Sequence, residues 1–258
     1  MKFSLKGKTA IVTGGGSGIG KAISLTFASQ DAKVHILDFD HASSLETVAE
    51  INKLGKHAVA HTCDVSNQEK VNDIIAQIGE NGSLDILVNN AGIAHVGNIE
   101  AVSEQDLDRL YNINIKGVYN CSKAIIPYMK EKGHGVILNL ASVASSVGIS
   151  DRFAYSMTKG AVLTMTYSIA RDYVEYGIRS NCISPGRVHT PFVDGFIKKN
   201  YPGNEAEMFE KLSKTQPIGR MANPQEIADL ALFLCSDEAK FITGTDYPID
   251  GGFIKLKG

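Results

Sequence analysis

Cysteine is scarce in this sequence, and the few that are present form no metal or redox motif. The four cysteines are Cys63, Cys121, Cys182 and Cys235. Because no two of them make a C-x-x-C pair, a zinc knuckle and a redox dithiol are excluded, and buried thiols in a reducing compartment are predicted. The histidines include no H-E-x-x-H array, and His57 and His61 fall in a short alternating segment where they need not share a metal. No metal site is predicted.

The sequence also lacks an excess of charge and a long apolar run. The 258 residues carry a formal net charge of -2, and lysine and arginine are scattered singly, which excludes a sustained basic face for nucleic acid or an anionic membrane. No apolar stretch reaches the ~18 residues that a membrane span needs, and the apolar run near the N terminus is too short for the core of a signal peptide. A small-molecule partner and a cytoplasmic location are predicted.

Short apolar runs alternate with longer segments of helical period. The runs lie at residues 9–13, 33–38, 57–64, 85–90, 135–140, 179–184 and 245–250. Several are apolar at consecutive positions, as expected for parallel strands covered by helices on both faces. The pattern predicts an α/β fold, a single-domain doubly wound Rossmann sheet of about seven parallel strands over residues 1–258. A polar, lysine-rich segment at about 190–217 is predicted to form a flap over the substrate site.

A glycine-rich segment, T-G-G-G-S-G-I-G at 13–20, directly follows the first predicted strand. Glycine permits positive φ and lets a phosphate approach the backbone, while the following helix offers free N–H groups. Gly14, Gly18 and Gly20 give the spacing G-x-x-x-G-x-G, which differs from the common G-x-G-x-x-G fingerprint. Ordinary turn chemistry also accounts for such a segment, so the next strand decides between the two interpretations.

That next strand ends at an acid. Asp38 lies eighteen residues after Gly20, where a carboxylate can accept hydrogen bonds from both ribose hydroxyls of a dinucleotide. An NADP site would need an arginine near the 2′-phosphate, and neither Ser17 in the loop nor Phe39 and Asp40 after the acid supplies one. The predicted cofactor is therefore NAD.

Tyr155 and Lys159 lie four residues apart, on one face of a predicted helix. An ordinary amphipathic helix can carry such a pair on its solvent-exposed face. The spacing alone therefore leaves open whether the pair is catalytic or merely exposed. Hydride transfer at a carbinol carbon requires a proton to leave or join the oxygen, and an ordinary tyrosine is a poor base at neutral pH. A neighbouring ammonium ion stabilises the phenolate, which makes the pair a candidate acid–base centre.

An ordered set of motifs gives the sequence a family resemblance. They are C-D-V at 63–65, N-N-A-G at 89–92, N-I-K-G at 114–117, Ser142, Y-S-M-T-K at 155–159, S-P-G-R-V-H-T-P at 184–191 and I-D-G-G at 249–252. Together with the glycine-rich segment, they make the sequence resemble the classical short-chain dehydrogenases/reductases over residues 6–252. The resemblance implies an oxidoreductase that acts on CH-OH groups.

The resemblance implies four catalytic residues. Tyr155 is the acid or base, and Lys159 stabilises its phenolate and grips the nicotinamide ribose. Ser142 hydrogen-bonds the reacting oxygen, and Asn114 holds a water that relays protons. From the residues alone, Ser142 is equally a cap at a strand-to-loop junction, and Asn114 is a polar residue inside a helix, which is costly if buried without a partner.

The resemblance also implies where the cofactor binds. Asp64 contacts the adenine amino group beside the N–H of Val65, and the strand end at 89–92 packs against the adenosine ribose. The alternative for Asn89 and Asn90 is capping of their own strand end. The implied cofactor residues are Gly14, Ser17, Gly18, Ile19, Gly20, Asp38, Asp64, Val65, Asn90, Ala91, Gly92, Tyr155, Lys159, Pro185, Gly186, Val188 and Thr190.

Two arginines are the candidate substrate residues. Arg152 lies three residues before Tyr155, and the segment D-R-F-A-Y-S-M-T-K-G-A-V resembles the subgroup of 2-keto-3-deoxy-L-fuconate and cytosolic 3-hydroxybutyrate dehydrogenase-like proteins. A guanidinium offers a planar fork of donors that matches a carboxylate, and Arg187 is the candidate second donor. The alternative is a surface salt bridge, with Asp151 adjacent and Asp194 or Glu205 available.

These observations predict an NAD-dependent oxidoreductase for a small polar substrate, a sugar or sugar acid of the deoxy-keto-aldonate type, in carbohydrate catabolism. The alternatives are a 3-oxoacyl carrier-protein reductase and a non-catalytic NAD-binding protein. The family resemblance further implies a homotetramer that pairs the long helices near 111–130 and 153–176 and the C-terminal strands.

Overall fold

A computed structural model of the chain describes residues 2–256, apart from the side chains of residues 199 and 200. One sheet of seven strands in the order β3-β2-β1-β4-β5-β6-β7 forms its centre, and every pairing is parallel. The strands are β1 (Thr9–Thr13), β2 (Lys33–Asp38), β3 (Ala58–Thr62), β4 (Ile86–Asn89), β5 (Gly135–Leu140), β6 (Ile178–Pro185) and β7 (Asp246–Ile249). The predicted doubly wound sheet is confirmed, with strand ends that shift by one or two residues.

Helices cover both faces of this sheet. They are α1 (Gly18–Ser29), α2 (His41–Lys53), α3 (Gln68–Glu80), α4 (Glu104–Leu110), α5 (Gly117–Lys132), α6 (Phe153–Tyr173), α7 (Pro191–Asn200), α8 (Glu205–Ser213) and α9 (Pro224–Cys235). In β1, Ala10 and Val12 pack in one core with Phe27 of α1, while Ile11 packs in a second core with Ile75 of α3. Successive strand residues face opposite sides, so burial of both faces explains why the strands are apolar at consecutive positions.

The strand order places the ligand site. β1 lies between β2 and β4, so the chain reverses its direction of travel across the sheet at β1. In open α/β sheets, ligands bind outside the carboxyl ends of the strands at such a switch point. The glycine-rich segment after β1 and the N-N-A-G motif at the end of β4 meet at this edge.

The helix predicted near 111–130 is interrupted. A π-helical turn, Tyr111–Lys116, separates α4 from α5, and the helix predicted at 153–176 ends as a 3₁₀ turn at Val174–Tyr176. Single π turns inside helices are frequently found at functional sites, and Asn114 lies in this one. Within residues 2–256, none of the helices combines the length and the hydrophobicity needed to cross a membrane.

A histidine pair joins β2 to β3, with His35 buried and His61 half-buried. His35 is only 5% exposed, its Nδ1 lies 2.9 Å from Nε2 of His61, and the two rings stack at 5.2 Å. The partner of His61 is thus on the neighbouring strand. Burial, followed by the charge of His61, lowers the pKa of His35 to about 4.

This shift predicts a loss of stability in mild acid. The unfolded chain takes up a proton at His35 near the ordinary pKa of 6.5, whereas the folded chain resists protonation until about pH 4. We therefore expect the His35 contribution to the free energy of unfolding to fall by about 2 kcal/mol between about pH 7 and pH 5. Urea unfolding of His35→Leu and of the wild type at both pH values measures the difference. His57→Gln, at an exposed position, is the control, and an equal pH dependence in His35→Leu would contradict the expectation.

Candidate active site

The glycine-rich loop between β1 and α1 has the geometry of an anion site. Gly14 and Gly18 have φ of +63° and +51°, and a Cβ at Gly20 would lie 2.0 Å from the carbonyl oxygen of Gly14. Ser17 precedes α1 as its N-cap but makes no side-chain capping hydrogen bond. The first N–H groups of α1 are therefore open to a phosphate, which the helix dipole also favours.

The end of β4 is hydrogen-bonded to this loop. Asn90 Nδ2 donates to the carbonyl oxygens of Thr13 and Gly14, both at 3.0 Å. The hydroxyl of Thr13 in turn accepts from the N–H groups of Asn90 and Ala91, both at 3.0 Å. The Asn90 side chain thus bonds to β1 and the loop rather than capping its own strand.

Asn89 belongs to a buried amide chain that reaches the helix carrying Tyr155. Its Nδ2 donates to Asn139 Oδ1 of β5 at 2.8 Å, and Asn139 Nδ2 donates to Thr166 Oγ1 of α6 at 2.9 Å. Asn139 and Thr166 were not predicted from the sequence, because neither lies in a motif that carries the family resemblance. The chain of hydrogen bonds fixes α6 against the central strands.

Asp38 stands at the end of β2 beside the loop. Its Oδ2 accepts from the Gly16 N–H at 2.9 Å and its Oδ1 from the Asp40 N–H at 3.0 Å. Among the described residues, no Lys, Arg or His nitrogen lies within 4.0 Å of this carboxylate, and Lys21 pairs instead with Glu50 at 2.6 Å. A fixed, unneutralised carboxylate suits ribose hydroxyls and repels a 2′-phosphate.

The segment after β3 lies at the same edge of the sheet. Asp64 is exposed, and its Oδ1 accepts from the N–H and the hydroxyl of Ser66 at 2.9 and 2.7 Å. Val65 is buried against Gly117, where an added Cβ would lie 2.6 Å from Val65 Cγ2. Val65 O accepts from Asn120 Nδ2 at 2.8 Å, so α5 holds this predicted adenine-binding segment in place.

Asn114 is buried, and both polar atoms of its side chain are hydrogen-bonded. It is 1% exposed, its Oδ1 accepts from the Ile93 N–H, and its Nδ2 donates to Ile93 O, both at 2.9 Å. Nδ2 also donates to Thr158 Oγ1 of α6 at 3.0 Å. From the sequence alone, Asn114 could have been a buried helical residue without a partner. The structure excludes this alternative. The side chain ties the π turn to the loop after β4 and to α6.

Lys159 reaches the end of β5 from α6. The side chain is buried, and Nζ donates to the Leu140 carbonyl at 2.7 Å and lies 5.9 Å from the Tyr155 ring centroid. A Cβ at Gly92 would lie 3.5 Å from this Nζ and 3.3 Å from Asn114 Oδ1. The structure thus brings Gly92, Asn114, Tyr155 and Lys159 together. A buried ammonium without a carboxylate partner among the described residues stabilises negative charge nearby.

Ser142 follows β5 directly. Its Oγ accepts from the Ala144 N–H at 3.2 Å and caps the 3₁₀ turn Val143–Ser145, which is the capping role considered from the sequence. That bond uses an acceptor site of the hydroxyl and leaves its hydrogen to donate. Capping and a bond to a substrate oxygen are therefore compatible.

The loop after β6 approaches the glycine-rich loop. β6 ends at Pro185, and the next N–H, that of Gly186, donates to Ile249 O at 3.0 Å. Val188 is buried and bridges to Ala222. A methyl carbon of Thr190, Cγ2, lies 3.3 Å from where a Cβ of Gly18 would be. The predicted nicotinamide and phosphate segments therefore lie side by side.

Neither candidate substrate arginine forms the salt bridge considered as the alternative. Arg152 NH1 donates to the backbone carbonyl of Asp151 at 2.9 Å, and Asp194 pairs with His189 at 2.8 Å. No described carboxylate lies within 4.0 Å of either guanidinium. Burial, followed by the charge of Arg152, lowers the pKa of Arg187.

Comparisons with known proteins agree with this geometry. A family model described as Enoyl-(Acyl carrier protein) reductase matches residues 14–254. An uncharacterized oxidoreductase of Thermotoga maritima is 41% identical over 97% of this chain and 98% of that protein. The 2-keto-3-deoxy-L-fuconate dehydrogenase of Xanthomonas campestris is 36% identical over 96% of this chain and 81% of that protein. The structure of L-sorbose reductase from Gluconobacter frateurii, complexed with NADPH and L-sorbose, covers 100% of both chains with 28% identity and a TM-score of 0.94.

The chain belongs to the short-chain dehydrogenase/reductase family, as the order of its motifs predicts. It is an oxidoreductase that acts on alcohol or ketone groups, and its family binds a nicotinamide cofactor.

Proposed function

We propose that this protein is an NAD-dependent dehydrogenase for a secondary alcohol on a small hydroxy acid of the sugar-acid class, acting in carbohydrate catabolism. The observation that carries the proposal is that Arg152, three residues before Tyr155, and Arg187, in the loop after β6, have no carboxylate partner among the described residues. The sugar-related names of two relatives support the polar substrate.

Tyr155 is the acid–base group of the proposed reaction. Its phenolate oxygen takes the proton of the substrate hydroxyl as the carbinol carbon loses a hydride, and a ketone forms. Lys159 stabilises the negative oxygen of Tyr155, and Ser142 donates its hydroxyl hydrogen to the substrate oxygen. Asn114 holds the water that carries the proton towards solvent. When bound, the nicotinamide ring supplies the hydride acceptor.

The proposed cofactor site fits a dinucleotide along the carboxyl edge of the sheet. The segment at 14–20, which ends in the first turn of α1 and includes Ile19, takes the pyrophosphate. Asp38 takes the adenosine ribose, and Asp64 with Val65 takes the adenine. The remaining proposed contacts are Asn90, Ala91 and Gly92 for the riboses, Lys159 and Tyr155 for the nicotinamide ribose, and Pro185, Gly186, Val188 and Thr190 for the nicotinamide.

The choice of NAD rests on charge. Asp38 is the last residue of β2 and Asp40 lies two residues further on. Asp40 caps α2 by accepting from the N–H groups of Ala42 and Ser43 at 3.0 and 3.3 Å. A 2′-phosphate would add its charge to these two carboxylates. L-sorbose reductase binds NADPH in its solved structure. For the present protein, Asp38 and Asp40 support NAD.

Arg152 gives the first test of the acidic substrate. In Arg152→Ala, we expect KM for a sugar acid to rise about 10- to 100-fold, because hydrogen bonds to a charged group are worth about 1.5 to 3 kcal/mol. KM for the neutral alditol of equal chain length should change less than about twofold. The measurement is the initial rate with matched pairs of aldonates and alditols. Arg171→Ala, on the exposed side of the same helix, is the control, and equal effects on acid and alditol would remove the carboxylate argument.

The two alternative functions have weaker support. Asp38 disfavours the NADPH that a 3-oxoacyl carrier-protein reductase normally uses, and the scattered lysines and arginines provide no obvious docking face for a carrier protein. A pure NAD-binding protein has no need of Ser142, Tyr155, Lys159 and Asn114 together.

We further propose a single domain, a cytoplasmic location and a homotetramer. The helices α7 and α8 form the flap over the substrate site. Four buried thiols without disulfides fit a reducing compartment.

Large apolar side chains are exposed on α5 and α6, among them Tyr119, Phe153 and Met157, and support helix pairing between subunits. Light scattering tests the assembly, since a tetramer has four times the chain mass of 27.8 kDa.

A further inference from the structure

One hydroxyl at the end of the flap holds the side chain of Arg187. Thr215 follows α8 by two residues, and its Oγ1 accepts from Arg187 Nε at 2.9 Å and from Gln216 Nε2 at 2.9 Å. The same hydroxyl donates to Leu212 O at 2.6 Å. A hydroxyl has one donor hydrogen and two acceptor sites, so Thr215 uses its full capacity. Its position relative to α8 and to Arg187 is fixed by three bonds.

The residue after Thr215 holds the backbone of Arg187. Gln216 is 3% exposed, and its Oε1 accepts from the Arg187 N–H at 3.3 Å. A Cβ at Gly186 would lie 2.5 Å from this Oε1, so only glycine leaves room for the amide at that point. Two consecutive flap residues thus contact both the main chain and the side chain of Arg187, which lies 28 positions before Thr215 and 29 before Gln216.

The hydrogen bond to Thr215 determines which nitrogens of Arg187 remain available to bind a substrate. Nε is occupied, whereas the two terminal nitrogens have no hydrogen bond to a described residue and no described carboxylate within 4.0 Å. The two terminal nitrogens can donate side by side to the two oxygens of a carboxylate. An arginine held at Nε also loses less rotational freedom when it binds an anion, which favours binding.

We propose that Thr215 is a positioning residue for substrate specificity: it fixes the Arg187 guanidinium so that the two terminal nitrogens bind the carboxylate of the substrate. This inference rests on the proposed function, in which Arg187 contacts an acidic substrate. Thr215 itself touches no reacting atom. It acts through Arg187 and transmits the position of the flap to the substrate site.

The test compares three variants with the matched aldonate and alditol pairs. In Thr215→Val, which keeps the shape but removes the hydroxyl, we expect KM for the aldonate to rise about tenfold with kcat within about twofold of the wild type. Thr215→Ser, which keeps the hydroxyl, should restore the wild-type KM. In Arg187→Ala, the further change Thr215→Val should add nothing to the KM for the aldonate, because the effect of Thr215 passes through Arg187.

The outcomes separate this inference from the proposed function. Additive effects of Thr215→Val and Arg187→Ala would overturn the positioning role, and so would an unchanged KM for the aldonate in Thr215→Val. If Arg187→Ala itself raised KM equally for aldonate and alditol, the acidic substrate and the positioning role would both be overturned. A fall in kcat for both substrates in Thr215→Val, with wild-type KM for the aldonate, would indicate a general flap defect and would also overturn the inference.

Discussion

Tyr155→Phe is expected to lower kcat by about 1,000-fold, within the range that a positioned acid–base group contributes. The substitution removes only the phenolic oxygen and leaves the ring beside Lys159, whose Nζ lies 5.9 Å from the ring centroid. The free energy of unfolding should change by less than about 0.5 kcal/mol, since no described residue hydrogen-bonds to that hydroxyl. Initial rates and urea unfolding, measured on the same preparation, give both quantities.

Tyr167→Phe provides the matched control for this experiment. Tyr167 lies on the same helix, is 41% exposed and is not one of the proposed catalytic, cofactor or substrate residues. Its variant should keep the wild-type rate. A Tyr155→Phe protein with normal turnover would exclude Tyr155 as the proton carrier.

The second large effect is expected at Asp38 and concerns the choice of cofactor. In Asp38→Asn, kcat/KM with NAD should fall by about 100-fold, because the charged acceptor for the ribose hydroxyls is lost. The asparagine oxygen can still accept from the Gly16 N–H, so the contact with the glycine-rich loop should be kept, whereas the Asp40 N–H loses its acceptor. With NADP, kcat/KM should rise, since the repulsion of the 2′-phosphate is reduced. Initial rates with both cofactors measure the ratio.

A charge-matched variant separates local from general electrostatics. Glu46→Gln removes an exposed carboxylate from α2, the helix that follows Asp38, and should leave the ratio of NAD to NADP rates unchanged. If Asp38→Asn also left that ratio unchanged, Asp38 would not be the residue that selects the cofactor.

The fold could be predicted from the sequence because a strand that is buried on both faces has apolar residues at consecutive positions. β1 and β5 are buried at every position and have three consecutive apolar residues each, at 10–12 and 136–138, and they end just before Gly14 and Ser142. The π turn at Tyr111–Lys116 could not be predicted. Its residues are compatible with an ordinary helix, and the contacts of Asn114 with Ile93 and Thr158 exist only in the folded chain.

The hydrogen-bond partners of the two arginines also could not be predicted from the sequence. Asp151 is adjacent to Arg152 in the chain, but it offers its backbone carbonyl rather than its carboxylate. Asp194 is likewise engaged, by His189. Sequence proximity sets which residues can meet, whereas the direction of each side chain depends on the tertiary contacts around it. For the same reason, no local pattern indicated that Thr215 contacts Arg187.

The most direct test of the proposed activity is the initial rate of NAD reduction by the wild-type protein with matched aldonates and alditols, repeated with NADP. We expect turnover of at least one aldonate with kcat/KM about tenfold or more above that of its alditol, and a preference for NAD over NADP of about 100-fold. Faster turnover of the alditol, or a preference for NADP, would contradict the proposed NAD-dependent oxidation of a hydroxy acid.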